Sequence, residues 1–299
     1  MEDKDLRLKI ENDKYILEDG QSSSVRSIYP ITELLWCGDS KFCAKLLIAK
    51  SEEYDRMLFT DGELQSTSFD ERIYHEYLVH PCVSIYCSLY DTRNLNILIL
   101  GGGEGSTTRE LLKYPKEIVN KIVWIDIDKD LLNLSRVHLK YCDESIYNDD
   151  RVFLSYEDAN IYLSNSSDKF DIIICDLPDP WINNDDGLYS DKFWNDLRRV
   201  TNDNHVIVSH VGPITPGKKN FELCSNLLKR LDLSICNCKL GKVFIPSFMS
   251  EWLYLYFVFD KSIRDVKLDL SILPNNLTVV DSCNVKNFFY FPKYYECDI

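Results

Sequence analysis

The 299-residue sequence predicts an α/β fold: a mostly parallel sheet covered by helices on both faces, preceded by a small β-domain. Three observations predict it. Apolar runs of strand length alternate with helical patterns from about residue 70 onward, which is the signature of βαβ units. The glycine-rich turn GGGEGS joins one of those strands to a helix. Residues 1–69 lack this alternation and carry only short runs of mixed polarity broken by Gly and Asp.

Taken in order, KFCAKLLIAK and DRMLFTDGELQST read as strands with turns at Gly38-Asp39 and Asp61-Gly62,. ERIYHEYLVH reads as a helix stopped before Pro81, since proline lacks the N–H that continues a helix,. LNILIL is a strand, STTRELLKY a helix ended by Pro115, KIVWID a strand, and KDLLNLSRVHLKY a helix,. RVFLSY, DIIICD, HVIVSH, the run near Ser234 and LYLYFVFD add strands, with helices expected around DKFWNDLRRV and KKNFELCSNLLKRL. The expected division is a β-domain over 1–69 and a Rossmann-like, doubly wound nucleoside-binding domain over 70–299. Internal repeats and low-complexity linkers are absent from the sequence.

Bulk properties exclude several functions. Lys and Arg number 34 against 48 Asp and Glu, a formal charge of -14. Nucleic acid is therefore not an expected partner, because phosphate binding needs a basic face. No apolar run approaches the roughly 18 residues of a membrane span, and the charged start MEDKDLRLKIENDK does not read as a signal peptide,. A soluble, cytoplasmic protein is expected. The eleven cysteines are scattered without a CxxC pair, so neither a zinc site nor a disulfide framework is expected.

The chemistry concentrates between residues 95 and 126. Gly101, Gly102, Gly103 and Gly105 let backbone approach a ligand closely,. Asp126 follows at about the twenty-residue distance where such folds place a carboxylate on ribose hydroxyls. Glu104 is the unusual member of the turn. A carboxylate there repels a pyrophosphate and suits a nucleoside with a cationic tail. Asp176 closes DIIICD, so Glu104, Asp126 and Asp176 all follow parallel strands and share one sheet edge. Asp158 joins that edge, either as an adenine contact or as a helix N-cap. In CDLPDP, Asp176 and Asp179 are held in an extended turn by Pro178 and Pro180,. Such a pair can bind an ammonium and take a proton from it, or can simply form a turn. The pattern alone leaves open a methyltransferase or a catalytically silent nucleoside binder.

The ordered motifs TDGELQST, DERIYHEYLVHP, LILGGGEGSTTRELLKYP, WIDID, EDA, CDLPDP with LYSDKFW, and FIPSF followed by Trp252 narrow the choice. This series resembles the spermidine/spermine synthase family of aminopropyltransferases, and VSHVGPITPGKK with FIPSFMSEW resembles its thermospermine synthase branch. The resemblance implies a methyltransferase-type sheet and a homodimer, with no metal and no prosthetic group. It implies decarboxylated S-adenosylmethionine as cosubstrate and a polyamine as acceptor, spermidine first and putrescine as the alternative. By the same resemblance, Glu104 and the glycine turn, Asp126 with Ile127, and Glu157 with Asp158 and Ala159 bind the cosubstrate, Gln65 lining the junction. Asp176 is the base, Asp179 and Tyr74 orient the attacking nitrogen, and His75, Trp181, Phe248 and Trp252 line the acceptor groove. Three departures from the family pattern stand out. Phe42-Cys43 replaces an aromatic-Gln pair, Glu53-Tyr54-Asp55 replaces a small or glycine-containing turn, and WINNDDG replaces the Gly-Pro after CDLPDP.

Overall fold

Two antiparallel sheets form before residue 70. Strands β1 (Leu8–Glu11), β2 (Lys14–Asp19) and β3 (Ser27–Ile31) make the first; β4 (Glu33–Gly38), β5 (Leu46–Ser51), β6 (Asp55–Thr60) and β7 (Glu63–Thr67) make the second. The β6–β7 hairpin turns on Asp61 and Gly62, both at positive φ (52° and 85°), the conformation that tight hairpins require and that Asp-Gly adopts readily,. These features come from a computed structural model that describes residues 8–11, 14–19, 27–43, 45–178, 187–214 and 227–291.

Helix α1 (Glu71–Tyr90) corrects the expected stop at Pro81: it runs through the proline for 20 residues. Pro81 has no N–H to give the Tyr77 carbonyl, but the Tyr256 hydroxyl donates to that carbonyl instead,. Tyr254 similarly donates to the Tyr74 carbonyl at 3.2 Å. His80, read from sequence as a helix-end residue, is therefore inside α1 and buried, bonded to Glu110 and to the Tyr114 hydroxyl at 2.9 Å each.

Beyond α1 lies the expected sheet. Its strands are β8 (Leu95–Gly101), β9 (Val119–Asp126), β10 (Val152–Tyr156), β11 (Phe170–Asp176), β12 (Thr201–Ile214), β13 (Cys238–Ile245) and β14 (Ser250–Phe257). Their order is β10-β9-β8-β11-β12-β14-β13. The first five are parallel, while β14 and β13 are antiparallel additions. Helices α2 (Ser106–Leu112), α3 (Lys129–Leu134), α4 (Ser145–Asn148), α5 (Ala159–Asn165) and α6 (Asp191–Arg199) complete the alternation. The helix expected after Lys129 widens into a π turn over Ser135–Leu139, where the Lys140 N–H reaches the Ser135 carbonyl five residues back,. The helix expected around KKNFELCSNLLKRL lies outside the described residues up to 226.

Side chains alternate across β8, and this doubles the core. Ile97 and Ile99 join Ile172, Ile174 and the buried side of α1, whereas Leu98 and Leu100 join Ile173, Leu163 of α5 and Phe193 of α6. A strand covered on both faces has no polar face to spare, which is why Ile97, Leu98, Ile99 and Leu100 follow one another without a polar break,. Chain order reverses between β8 and β11, which pair as neighbours with Asp176 opposite Gly101. Ligands of open α/β sheets lie in the crevice at such a reversal. Among the described residues, no helix is long and apolar enough to cross a membrane.

Candidate active site

The carboxyl ends of β8 and β11 nearly touch, and the glycines are the reason they can. A Cβ on Gly101 would lie 2.0 Å from the Asp176 carbonyl oxygen, and one on Gly102 would lie 3.1 Å from Asp176 Oδ2. Both glycines also have φ near +80° (86° and 77°), where other residues are strained,. The turn thus accommodates Asp176 as well as any ligand. The Gly102 N–H donates to the Asp176 carbonyl at 3.1 Å. The carboxylate itself is held at both oxygens, by the Tyr74 hydroxyl on Oδ1 (2.9 Å) and the Thr107 hydroxyl on Oδ2 (2.6 Å). Burial, with the charge of Asp176 adding to it, pushes the Tyr74 hydroxyl well above its usual range, so it stays a donor.

An aromatic wall stands on the Tyr74 side. Its ring is 5.8 Å from His210 and 6.4 Å from Trp252, and Phe248 lies 4.8 Å from Trp252. Phe248 and Trp252 also belong to the buried core, so wall and core are one surface here.

The neighbouring His75 is buried, its Nδ1 3.0 Å from Glu71 Oε2. Burial works against charge on this ring. The Glu71 hydrogen bond, and then the charges of Glu71, Asp176 and Glu104, outweigh it and hold the pKa up to about 9. Glu71 in turn takes two hydrogen bonds of 2.8 Å from Arg109. Burial opposes its ionisation, but His75 and Arg109 bring its pKa down to about 2. Residues 71, 75 and 109 therefore form a charged strut beneath the glycine turn.

Two more carboxylates face the same crevice. Burial raises Glu104 above the usual carboxylate range and the Asp176 charge adds to this, while His75 and the Ser66 hydroxyl favour its ionised form. Asp126 rises to about 7, mainly through burial, with Asp128, Glu104 and Asp176 repelling its charge. The Asp128 N–H, donating to Asp126 Oδ1 at 2.8 Å, only partly offsets this. Neighbouring carboxylates raise the pKa values of both Glu104 and Asp126, and such a crevice favours a cationic ligand,.

The spermine/spermidine synthase domain family matches this chain over residues 71–269. The chain belongs to that family. A polyamine aminopropyltransferase of Aeropyrum pernix is 30% identical over 276 residues, covering 89% of this chain and 84% of that protein. One from Pyrobaculum calidifontis is 38% identical over 172 residues, 56% of this chain and 57% of that protein, so that match spans little more than half the relative's length. Among solved structures, spermidine synthase from Thermotoga maritima superposes with a TM-score of 0.79 at 18% identity, covering 99% of this chain and 97% of that one. A spermidine synthase in complex with the transition-state analogue AdoDATO gives 0.80 at 20% identity, covering 99% and 98%. These likenesses establish the methyltransferase-type fold of the spermine/spermidine synthase family.

The remaining positions expected from the family pattern divide into three groups. Ile127, Glu157, Asp158 and Ala159 lie at the ends of β9 and β10, next to Asp126. Asp158 caps α5, accepting the Asn160 N–H at 2.7 Å, so its capping role is realised. Glu157 accepts the Ser155 hydroxyl, and Ile127 is exposed. Gln65 is exposed on β7 and donates to the Glu63 carbonyl at 3.2 Å, whereas its neighbour Ser66 is the one that reaches Glu104. Asp179 and Trp181 lie outside the described residues.

Sequence reasoning missed Thr107, Ser66, Asp128 and Ser40. Thr107 could not be found that way, because its partner is 69 positions downstream. Asp128 was findable as an Asp just before a helical run, and it does cap α3 through the Asp130 and Leu131 N–H groups,. Its other oxygen accepts the Ser40 hydroxyl, and Ser40 Oγ accepts the Phe42 and Cys43 N–H groups at 3.1 and 2.9 Å.

Proposed function

We propose that this protein is a polyamine aminopropyltransferase that moves the aminopropyl group of decarboxylated S-adenosylmethionine to spermidine and releases methylthioadenosine. The observation that carries the reading is the Asp176 carboxylate, fixed by two donors at the strand-order reversal and flanked by Glu104 and an aromatic wall. Family membership and the VSHVGPITPGKK and FIPSFMSEW segments support this choice of reaction and acceptor.

In this reading Asp126 accepts the ribose hydroxyls, while Ile127, Glu157, Asp158 and Ala159 surround the adenine. Glu104 holds the cationic arm. The acceptor's methylene chain lies against Tyr74, Phe248 and Trp252, apolar surface suited to CH₂ groups. At pH 7 an alkyl amine is almost wholly protonated, so Asp176 first takes a proton from it. The freed nitrogen attacks the carbon beside the sulfonium; the N–C bond forms as the C–S bond breaks, and its electron pair stays on sulfur. The leaving group is already activated, so positioning and deprotonation are the contributions asked of the protein. We assign the β-domain to 1–69 and the catalytic domain to 70–299, in a cytoplasmic homodimer.

The test is to incubate the protein with decarboxylated S-adenosylmethionine and each di- or triamine, then measure methylthioadenosine. Spermidine is expected to give the highest kcat/KM. Preference for putrescine would reassign the acceptor, and no product with any amine would overturn the reaction.

A further inference from the structure

A single hydrogen bond leaves a carboxylate free to rotate; a donor on each oxygen fixes its plane. Asp176 has both, from Tyr74 at 2.9 Å and Thr107 at 2.6 Å. Each carboxylate oxygen can accept two hydrogen bonds, so each retains one lone-pair position for an incoming N–H. Thr107 is 1% exposed in the first turn of α2, so its hydroxyl is shielded from solvent. The Cβ that Gly102 lacks would stand 3.1 Å from Asp176 Oδ2 and 3.7 Å from Thr107 Cβ, so glycine there keeps clear the gap the two side chains bridge.

We infer that Thr107 is a positioning residue for the base. Its hydroxyl sets the rotation of the Asp176 carboxylate and so the direction in which the remaining lone pairs meet the amine proton. The role rests on the aminopropyl-transfer reading above. Tyr74 shares it at the other oxygen but also belongs to the acceptor wall, whereas Thr107 touches neither wall nor glycine backbone in any of its hydrogen bonds.

The test compares Thr107→Val, which keeps the shape and removes the donor, with Thr107→Ser, which keeps the donor. Thr108→Val is the control: Thr108 is equally buried in the same helix, and its hydroxyl makes no hydrogen bond among the described residues. In Thr107→Val, kcat should fall about 10- to 100-fold, the loss expected for one hydrogen bond to a charged group. KM for decarboxylated S-adenosylmethionine should stay unchanged. Thr107→Ser should recover kcat, and Thr108→Val should match the wild type. A second measurement needs no turnover. Spermidine binding to the methylthioadenosine complex, followed by calorimetry, should be about tenfold weaker in Thr107→Val and recovered in Thr107→Ser.

A Thr107→Val protein with wild-type kcat and spermidine affinity would overturn the inference. So would a lowered kcat that serine does not restore, which is the signature of packing alone. If the wild type makes no methylthioadenosine but the calorimetric pattern holds, aminopropyl transfer fails and the positioning role stands. Absence of both turnover and spermidine binding overturns both.

Discussion

Asp126 gives the protein a pH signature that can be worked through from the structure. Burial and three neighbouring carboxylates lift its carboxyl from 3.8 to about 7. The folded state therefore holds this proton more tightly than the unfolded state. Its contribution to stability is complete below pH 3.8, declines as pH rises, and is gone above about 7,. Three units correspond to about 4 kcal/mol as an upper bound. In the proposed ribose contact the hydroxyls donate hydrogen bonds to the ionised form, so a nucleoside bound that way must expel the proton. The ionised fraction is about one tenth at pH 6 and nine tenths at pH 8, so affinity should rise about tenfold over that range. Methylthioadenosine is the right probe because it carries the ribose without a cationic arm. Calorimetry in two buffers of different ionisation enthalpy should detect about one proton released per ligand at pH 6 and almost none at pH 8. Asp126→Asn should bind more weakly at pH 8, lose the pH dependence, and unfold at a higher temperature than the wild type at that pH when no ligand is bound. Wild-type affinity that stays flat from pH 6 to 8 would refute the reasoning, as would an Asn variant that binds as tightly as the parent.

Further predictions address the base, the turn and the C-terminal segment. Asp176→Asn should lower kcat by about two to four powers of ten while methylthioadenosine affinity, measured by calorimetry, changes little, because the ribose and adenine contacts remain. Gly102→Ala places a Cβ against Asp176 Oδ2 at a φ of 77°; turnover should be lost and Tm should fall, with a Tm equal to wild type arguing against the strain. Glu76 is buried and accepts the Thr278, Val279 and Val280 N–H groups and the Thr278 hydroxyl, at 2.8 to 2.9 Å. Burial disfavours its charge, but those N–H donors lower its pKa below the usual value, so its stabilisation is present at neutral pH and lost as pH falls through the acid range. Glu76→Gln turns an amide N–H₂ toward N–H donors and should cost about 2 to 4 kcal/mol in denaturant unfolding at pH 7, shrinking at low pH.

The fold was legible wherever local pattern and tertiary environment agree. The runs 97–100 and 172–175 are apolar without interruption because both faces of β8 and β11 are covered,. Pro81 misled because the rule it invokes is local. Its missing N–H is compensated by Tyr256, 175 positions away, and sequence spacing carries no trace of that contact. The π turn after α3 is similar: SRVHL continues a helical pattern, and only packing decides how it winds. The site divides along the same line. Asp126, Glu104 and Asp176 could be brought together from sequence because each follows a parallel strand, and topology alone sends such residues to one edge. Thr107, Ser66 and Ser40 could not, because a hydroxyl in a helix, strand or loop reads as ordinary filler until its acceptor is in place.

Cys43 shows how a departure at one position can be absorbed by others. A thiol cannot donate and accept as an amide does, and burial pushes this one up to about 11, so at neutral pH it adds no charge to a crevice already crowded with carboxylates. The position of its loop does not depend on the thiol. Ser40 accepts the Phe42 and Cys43 N–H groups and donates to Asp128. Asp128 caps α3 with its other oxygen, and its backbone N–H holds Asp126. The N-terminal sheet is therefore tied to Asp126 through backbone groups and two short side chains, and that tie does not pass through the side chain of residue 43.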